Sequence, residues 1–144
     1  MRIECAVLCD AASLREGLLN ILGAGISQVA FHDFPAPLPI TFAFRAVLET
    51  RELHEQHALH LELINMYEQE RIEAAADLVF YVGPERQQLT EEAALAAPVP
   101  LSALVIQRPG RYLIRASFDT HILAMFPLRV NAVEPAQPID PVRT

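Results

Sequence analysis

Between Ile40 and Arg51 the chain alternates cleanly: Ile40, Phe42, Phe44, Ala46 and Leu48 fall on one side, Thr41, Arg45, Glu49 and Arg51 on the other. A period of two is that of a strand with one buried face. The stretch Leu53 to Asp77 is rich in Glu, Gln, Leu and Ala, which favours helix by propensity. At about 100° per residue, however, Leu59, Leu61, Leu63, Ile64, Met66, Tyr67 and Ile72 scatter around the axis. Read with period two, Leu59, Leu61 and Leu63 share one side and His60 and Glu62 the other. The pattern therefore predicts strands at about 57–65 and 70–82, with a turn near Glu68-Gln69.

The remaining elements follow from the same reading. Ile3 to Cys9 forms a buried strand with Ile3, Cys5, Val7 and Cys9 on one face. Asp10 stands as an N-cap before one helical turn closed by Gly17. Leu18–Leu22 and Ile26–Phe31 are strands joined by Gly23-Ala24-Gly25 as a three-residue hairpin loop. Pro35-Ala36-Pro37-Leu38-Pro39 is an extended connector, since prolines supply no ladder donors. Leu78 to Val82 is apolar on both faces and ends at Gly83-Pro84. Thr90 caps a short helix, Glu91 to Ala97, before Pro98. Leu101 to Ile106 and Tyr112 to Phe118 are strands around the turn Arg108-Pro109-Gly110-Arg111. A reversal at Asp119-Thr120-His121 leads to a final strand, with a bulge or edge at Pro127.

These elements define a mainly β fold, a two-sheet antiparallel β-sandwich of about 8–9 strands with one or two short helices. It occupies 1–133 as one domain, and 134–144, holding Pro135, Pro138 and Pro141, forms a flexible tail. Strands apolar on both faces exceed what a sandwich can bury. A second copy is expected over part of that surplus, giving a homo-oligomer, most simply a dimer.

Composition narrows the chemistry. A chain of 144 residues buries roughly two-thirds of its unfolded surface and needs no disulfide or metal as a staple. Cys5 and Cys9, on one strand, lie ~13 Å apart, beyond disulfide reach, and are expected as reduced core thiols. The start Met1-Arg2-Ile3-Glu4 meets polar residues too soon for a signal peptide, and no apolar run reaches bilayer length, so a cytoplasmic address is expected. A net charge of −7 argues against nucleic acid and anionic membrane surfaces as partners. All 11 basic residues are Arg, which, with many Ala and Pro, suggests a GC-rich bacterial genome. Without lysine, Schiff-base, pyridoxal-phosphate, P-loop and Ser-x-x-Lys chemistry is excluded.

Two stretches carry a family likeness. Ala6-Val7-Leu8-Cys9-Asp10-Ala11-Ala12 with Gly17-Leu18-Leu19-Asn20-Ile21-Leu22-Gly23 resembles the opening of a bacterial family known only as a domain of unknown function. Pro109-Gly110-Arg111-Tyr112, Asp119 and Leu128-Arg129-Val130 resemble its last hairpin. The resemblance implies a β-sandwich-like fold and strands in the middle of the chain, and it brings no activity or catalytic residue. That family often has Asp-Gly at the final reversal; Thr120 departs from this and leaves the turn type open.

Candidate chemistry is sparse. His54, His57 and His60 form an H-x₂-H-x₂-H run, but it is not HExxH. On a strand His57 and His60 point to opposite faces, with His54 at a turn. Exposed turn and strand histidines explain the run more simply than a metal site. His32-Asp33 and Asp119/His121 are explained as polar loop ends. Ser13, Ser27, Ser102 and Ser117 sit in no nucleophile elbow. Asp10 and Asn20 lie amid apolar sequence and are candidate ligand-binding groups, or else buried capping residues. Arg111 and Arg115 share a strand face, a solvated face by default and otherwise one that meets an acidic partner. No catalytic residue, metal or cofactor is implied. The leading expectation is a non-catalytic interaction or assembly module. Behind it stand a small-molecule-binding domain, with a pocket between the sheets or under the Pro35–Pro39 loop, and a metal-dependent hydrolase using the histidines.

Overall fold

The computed structural model describes residues 1–82 and 93–135. Eleven strands lie among them: β1 (Arg2–Arg15), β2 (Leu18–Ala24), β3 (Gln28–Phe31), β4 (Ala36–Pro37), β5 (Thr41–Leu48), β6 (Gln56–Asn65), β7 (Arg71–Tyr81), β8 (Ala93–Pro100), β9 (Val105–Ile106), β10 (Gly110–Phe118) and β11 (His121–Ala132). Sheet A runs β2-β1-β5-β8, sheet B runs β3-β11-β10-β6-β7, and β4 and β9 form a small third ribbon. All pairs are antiparallel except β3 with β11. The two larger sheets stack through aromatic contacts: Phe42 and Phe44 of sheet A meet Phe126, Phe80 and Phe118 of sheet B. This is the expected sandwich, with short extra strands beyond the number predicted.

Period two holds where it was strongest. Phe42, Phe44, Ala46, Leu48, Leu59, Leu61 and Leu63 are buried in the shared core, as are Tyr112, Ile114, Ala116 and Phe118. The ambiguous middle forms β6 and β7, turning through Gln69 and Glu70, both at positive φ. Its helix-forming composition yields to pairing, since β6 lies between β7 and β10 and every inward side chain is covered.

Several expectations are corrected. Residues 10–17 form no helix. β1 continues through Arg15 and turns at Glu16 (φ 51°) and Gly17 (φ 75°) into β2. Two positive φ values in a two-residue loop match the twist of a hairpin, which gives Gly17 its place there. Asp10 is therefore mid-strand and caps nothing. Gly23-Ala24-Gly25 is no hairpin loop, because β2 pairs with β1 while β3 crosses to sheet B. Ala93 to Ala97 is strand, paired across β5 from Ala93↔Leu48 to Ala97↔Phe44; the Thr90 cap and Glu91 lie outside the described residues. Of Leu101–Ile106 only Val105–Ile106 is strand. Leu101 and Leu104 are joined by a 2.9 Å backbone bond, and both are buried with Leu38, whose N–H donates to Leu104 O.

The inward face of β1 is also different. The β1–β5 register shifts between Ile3 and Cys5. One extra residue at Glu4 reverses the alternation, so Ile3, Ala6 and Leu8 meet the core rather than Cys5 and Val7. Cys5 and Cys9 are free thiols, and Cys9 is buried with its Sγ 3.5 Å from the Thr41 carbonyl. Pro127 faces Leu113 just before β3 joins β11 at Arg129, a locally unpartnered edge as expected. The bulge in that hairpin falls instead between Ala116 and Ser117. The proline-rich tail lies, from residue 136, outside the described residues.

Candidate functional site

The β1–β2 hairpin is the first candidate. β5 pairs with β1 only from Arg2 to Cys9, whereas β2 pairs from Cys9↔Ala24 to Arg15↔Leu18. Beyond Cys9, β1 therefore has β2 as its sole hydrogen-bonded strand partner, and β2, though it approaches β8 and β5, is an edge strand with no second ladder, among the described residues. A two-stranded ribbon is marginal alone in water. Here it carries Leu14, Leu18 and Leu22 exposed, the last two at 69%. The seven residues of β2, Leu-Leu-Asn-Ile-Leu-Gly-Ala, include no charge and no proline. Edge strands are ordinarily protected by one or the other.

The two candidate ligand groups lie in this ribbon, on opposite faces. Asn20 is opposite Ser13, on the side of Leu18 and Leu22. Its Nδ2 makes only a long 3.4 Å bond to Leu18 O. Asp10 is exposed, and its carboxylate lies over Gly23, where a Cβ would collide with it. The structure does not bring the two together.

The second candidate is the outer face of sheet B. His60 Nδ1 is 2.5 Å from Asp77 Oδ1 and its Nε2 is 3.3 Å from Glu62 Oε1, while Arg115 Nε donates to Glu62 Oε2 at 2.5 Å. The Arg115 guanidinium, then the His60 ring, hold Glu62 below the usual carboxylate range despite its burial. Asp77 and Glu62 in turn raise His60. Arg111 shares that face, four residues before Arg115 on β10, and sits exposed opposite Arg129. Arg115 is thus committed to Glu62, which leaves Arg111 and Arg129 as the open basic corner. Around the network lie Val79, Tyr81, Ile122 and Met125, all exposed.

The histidine run, expected to be exposed, is so only in part: His54 stands at a turn with φ 67° and His60 faces outward, but His57 is buried against the core, because it shares the inward face of β6 with Leu59. Among the described residues no group of three His, Cys, Asp or Glu side chains could hold a metal ion. His57 is the most constrained. It is 4% exposed, stacks on Phe118, and contacts Asp119 Oδ2 at 2.9 Å and the Glu52 carbonyl at 2.6 Å. Both ring nitrogens face acceptors, an arrangement that the protonated ring, with two N–H donors, satisfies in full. Burial alone would lower its pKa, but these two acceptors outweigh burial and raise it.

Sequence reasoning missed a buried polar cluster below the Arg108 turn. The β6–β7 register shifts between Leu63↔Ala74 and Ile64↔Ile72, leaving Glu73 in a bulge. Asn65 Nδ2 donates to Glu73 Oε1 at 2.7 Å, and the Tyr112 hydroxyl donates to the Arg108 carbonyl at 2.7 Å. Asn65 amid apolar residues was the only available sign. A cleft of about 210 Å³ also opens between the sheets, lined by Leu61, Leu78, Val99, Leu101 and Leu104, with Asp77 in its wall. That is smaller than the roughly 300–1,000 Å³ usual for ligand pockets.

The fold and these surfaces define a β-sandwich protein whose polar groups are used mainly against one another. The chain belongs to a family of unknown function, DUF6941, whose model matches residues 4–131. No curated protein and no solved structure matches it.

Proposed function

We propose that this chain is a non-catalytic protein-interaction or assembly module that works as a homo-oligomer in the bacterial cytoplasm. The observation that carries the reading is the β1–β2 ribbon: an open, uncharged edge bearing Leu18 and Leu22, in a chain of net charge −7. Exposed apolar surface of this kind marks association sites. The outer face of sheet B supports the same reading, with Val79, Tyr81, Ile122 and Met125 around a neutralised charge network. Arg111 and Arg129 would engage an acidic partner at its corner. Sedimentation of the purified full chain from low to high micromolar concentration tests the proposal. A concentration-dependent larger species, or a specific partner retained on affinity purification, is expected. A strict monomer with no retained partner would overturn it.

The cleft between the sheets favours a second, weaker reading as a small-molecule-binding domain. An apolar ligand about the size of a single ring fits its volume. Solvent-exchange NMR with small apolar probes would shift Leu78 and Val99 methyl signals if it is used.

A further inference from the structure

We infer that two copies of this chain pair edge to edge through β2, antiparallel, about a two-fold axis at Asn20. The inference rests on the assembly reading above and names its partner and register. The hairpin sets the phase. In a two-residue loop the flanking pair, Arg15↔Leu18, exchanges hydrogen bonds, so Leu18, Asn20 and Leu22 direct their backbone groups toward β1. Leu19 and Ile21 then direct theirs outward, at the open edge of sheet A.

With the axis at Asn20, Leu19 meets Ile21 of the second copy and Ile21 meets its Leu19. These are the residues whose N–H and C=O groups point outward, so the new ladder closes without a register fault. Asn20 faces Asn20 as a non-hydrogen-bonded pair, where side chains approach most closely. The side chains agree with the backbone. On one face Leu18 packs beside Leu22 of the partner copy, so the two most exposed leucines cover each other twice. On the other, Leu14 and Leu19 continue into Ile21 and Ala12 of the partner copy. The two amides at the centre can bond across the axis, a polar pair that selects this register over apolar slips. No charge in β2 opposes the approach, although each copy carries −7 overall. The contact is isologous and uses up both edges, so it closes at a dimer and does not propagate.

Three measurements on the full chain test this. The wild type is expected to sediment as a reversible monomer–dimer equilibrium. Asn20→Cys is expected to form a disulfide-linked dimer on mild oxidation. Ser13→Cys is not, because three strand spacings, about 14 Å, separate it from its copy. Ile21→Pro removes an outward N–H and leaves the β1–β2 ladder intact, so the circular dichroism should be unchanged while self-association weakens about 10-fold or more. Should Ile21→Pro fail to fold, Asn20→Lys supplies the same test by placing like charges on the axis. A dimer that persists in these variants and never crosslinks at residue 20 overturns the β2 pairing but leaves the assembly proposal standing. A monomer at every concentration overturns both.

Discussion

Asp119 holds His57 from across the sandwich end: Oδ2 takes a bond from the ring at 2.9 Å while Oδ1 takes the Ala58 N–H, also at 2.9 Å. One carboxylate thereby ties the β10–β11 turn to the start of β6. The ring's other nitrogen ties β6 to the Thr50–Glu52 turn, where Glu52 also binds the Met1 ammonium at 2.8 Å. Stability should follow both titrations. The raised His57 pKa contributes fully below the ordinary imidazole value of 6.5 and is lost as pH rises through the raised value. Burial would raise Asp119, but the His57 and Ala58 bonds lower it, so its contribution is present above 3.8 and is lost as pH falls. Between these two ordinary values the clamp is at full strength. Asp119→Asn keeps the turn's positive φ, which Asn tolerates, and keeps an acceptor for Ala58. It should cost about 1–2 kcal/mol near pH 5.5, the low side for a charged hydrogen bond because Asp119 is partly exposed. The loss should shrink as pH rises through the raised His57 value. Urea titrations across that range decide it, and a pH-independent loss would refute the clamp.

Gly23 and Asp10 make a second pair whose coupling can be measured. Gly23 has φ 65°, and its missing Cβ leaves room for the Asp10 carboxylate. Gly23→Ala should cost about 1–2 kcal/mol from conformation and collision together. Asp10→Gly in the same chain should return the collision part only. Additive losses in thermal melts would show that the two side chains do not meet.

Arg115 and Glu62 are expected to depend on each other more than the fold depends on either. Arg115→Ala leaves Glu62, 7% exposed, with His60 as its remaining partner. That should cost about 2–3 kcal/mol at neutral pH, whereas Arg115→Ala with Glu62→Gln should recover at least half. Because Glu62 titrates below its ordinary 4.5, the pair's contribution is lost as pH falls through that lowered value. A double-mutant cycle showing no coupling would remove the network from the account.

Phe44 sets the scale of the core. It is fully buried and lies 5.6 Å from Phe42, 5.7 Å from Phe80 and 6.1 Å from Phe118, ring to ring. Phe44→Ala should cost about 3–5 kcal/mol. Phe126→Ala, a partly buried partner of Phe42, should cost less. Denaturant midpoints in the reverse order would contradict the packing.

What was legible in the sequence was the alternation, and it was legible where one face is wholly apolar. Ile40 to Leu48 and Leu59 to Leu63 face the core as their spacing predicts. His57 and His60 duly point to opposite faces. The misread helices share a cause. Ala11 to Arg15 and Ala93 to Ala97 both favour helix locally, and both lose to strand pairing, the first to a hairpin with β2 and the second to β5 far along the chain. The Glu4 bulge was invisible because one extra residue leaves composition unchanged while reversing every later side chain. The candidate site was less legible: Asn20 stands out in the sequence as a polar residue among leucines, but not as an exposed residue of an edge strand. That placement follows only once β3 is seen to leave for the other sheet.

That departure has a consequence for how the chain is made. β3 is parallel to β11, joining Gln28–Phe31 to Arg129–Ala132. A segment synthesised early must therefore wait for one synthesised about a hundred residues later, some 5–20 s at ribosomal speed. Through that interval the Ile26–Phe31 stretch is apolar and unpaired, and it sits beside the uncharged β2. The newborn chain consequently passes through its most adhesive form before sheet B can close, and refolding should be slow and sensitive to protein concentration.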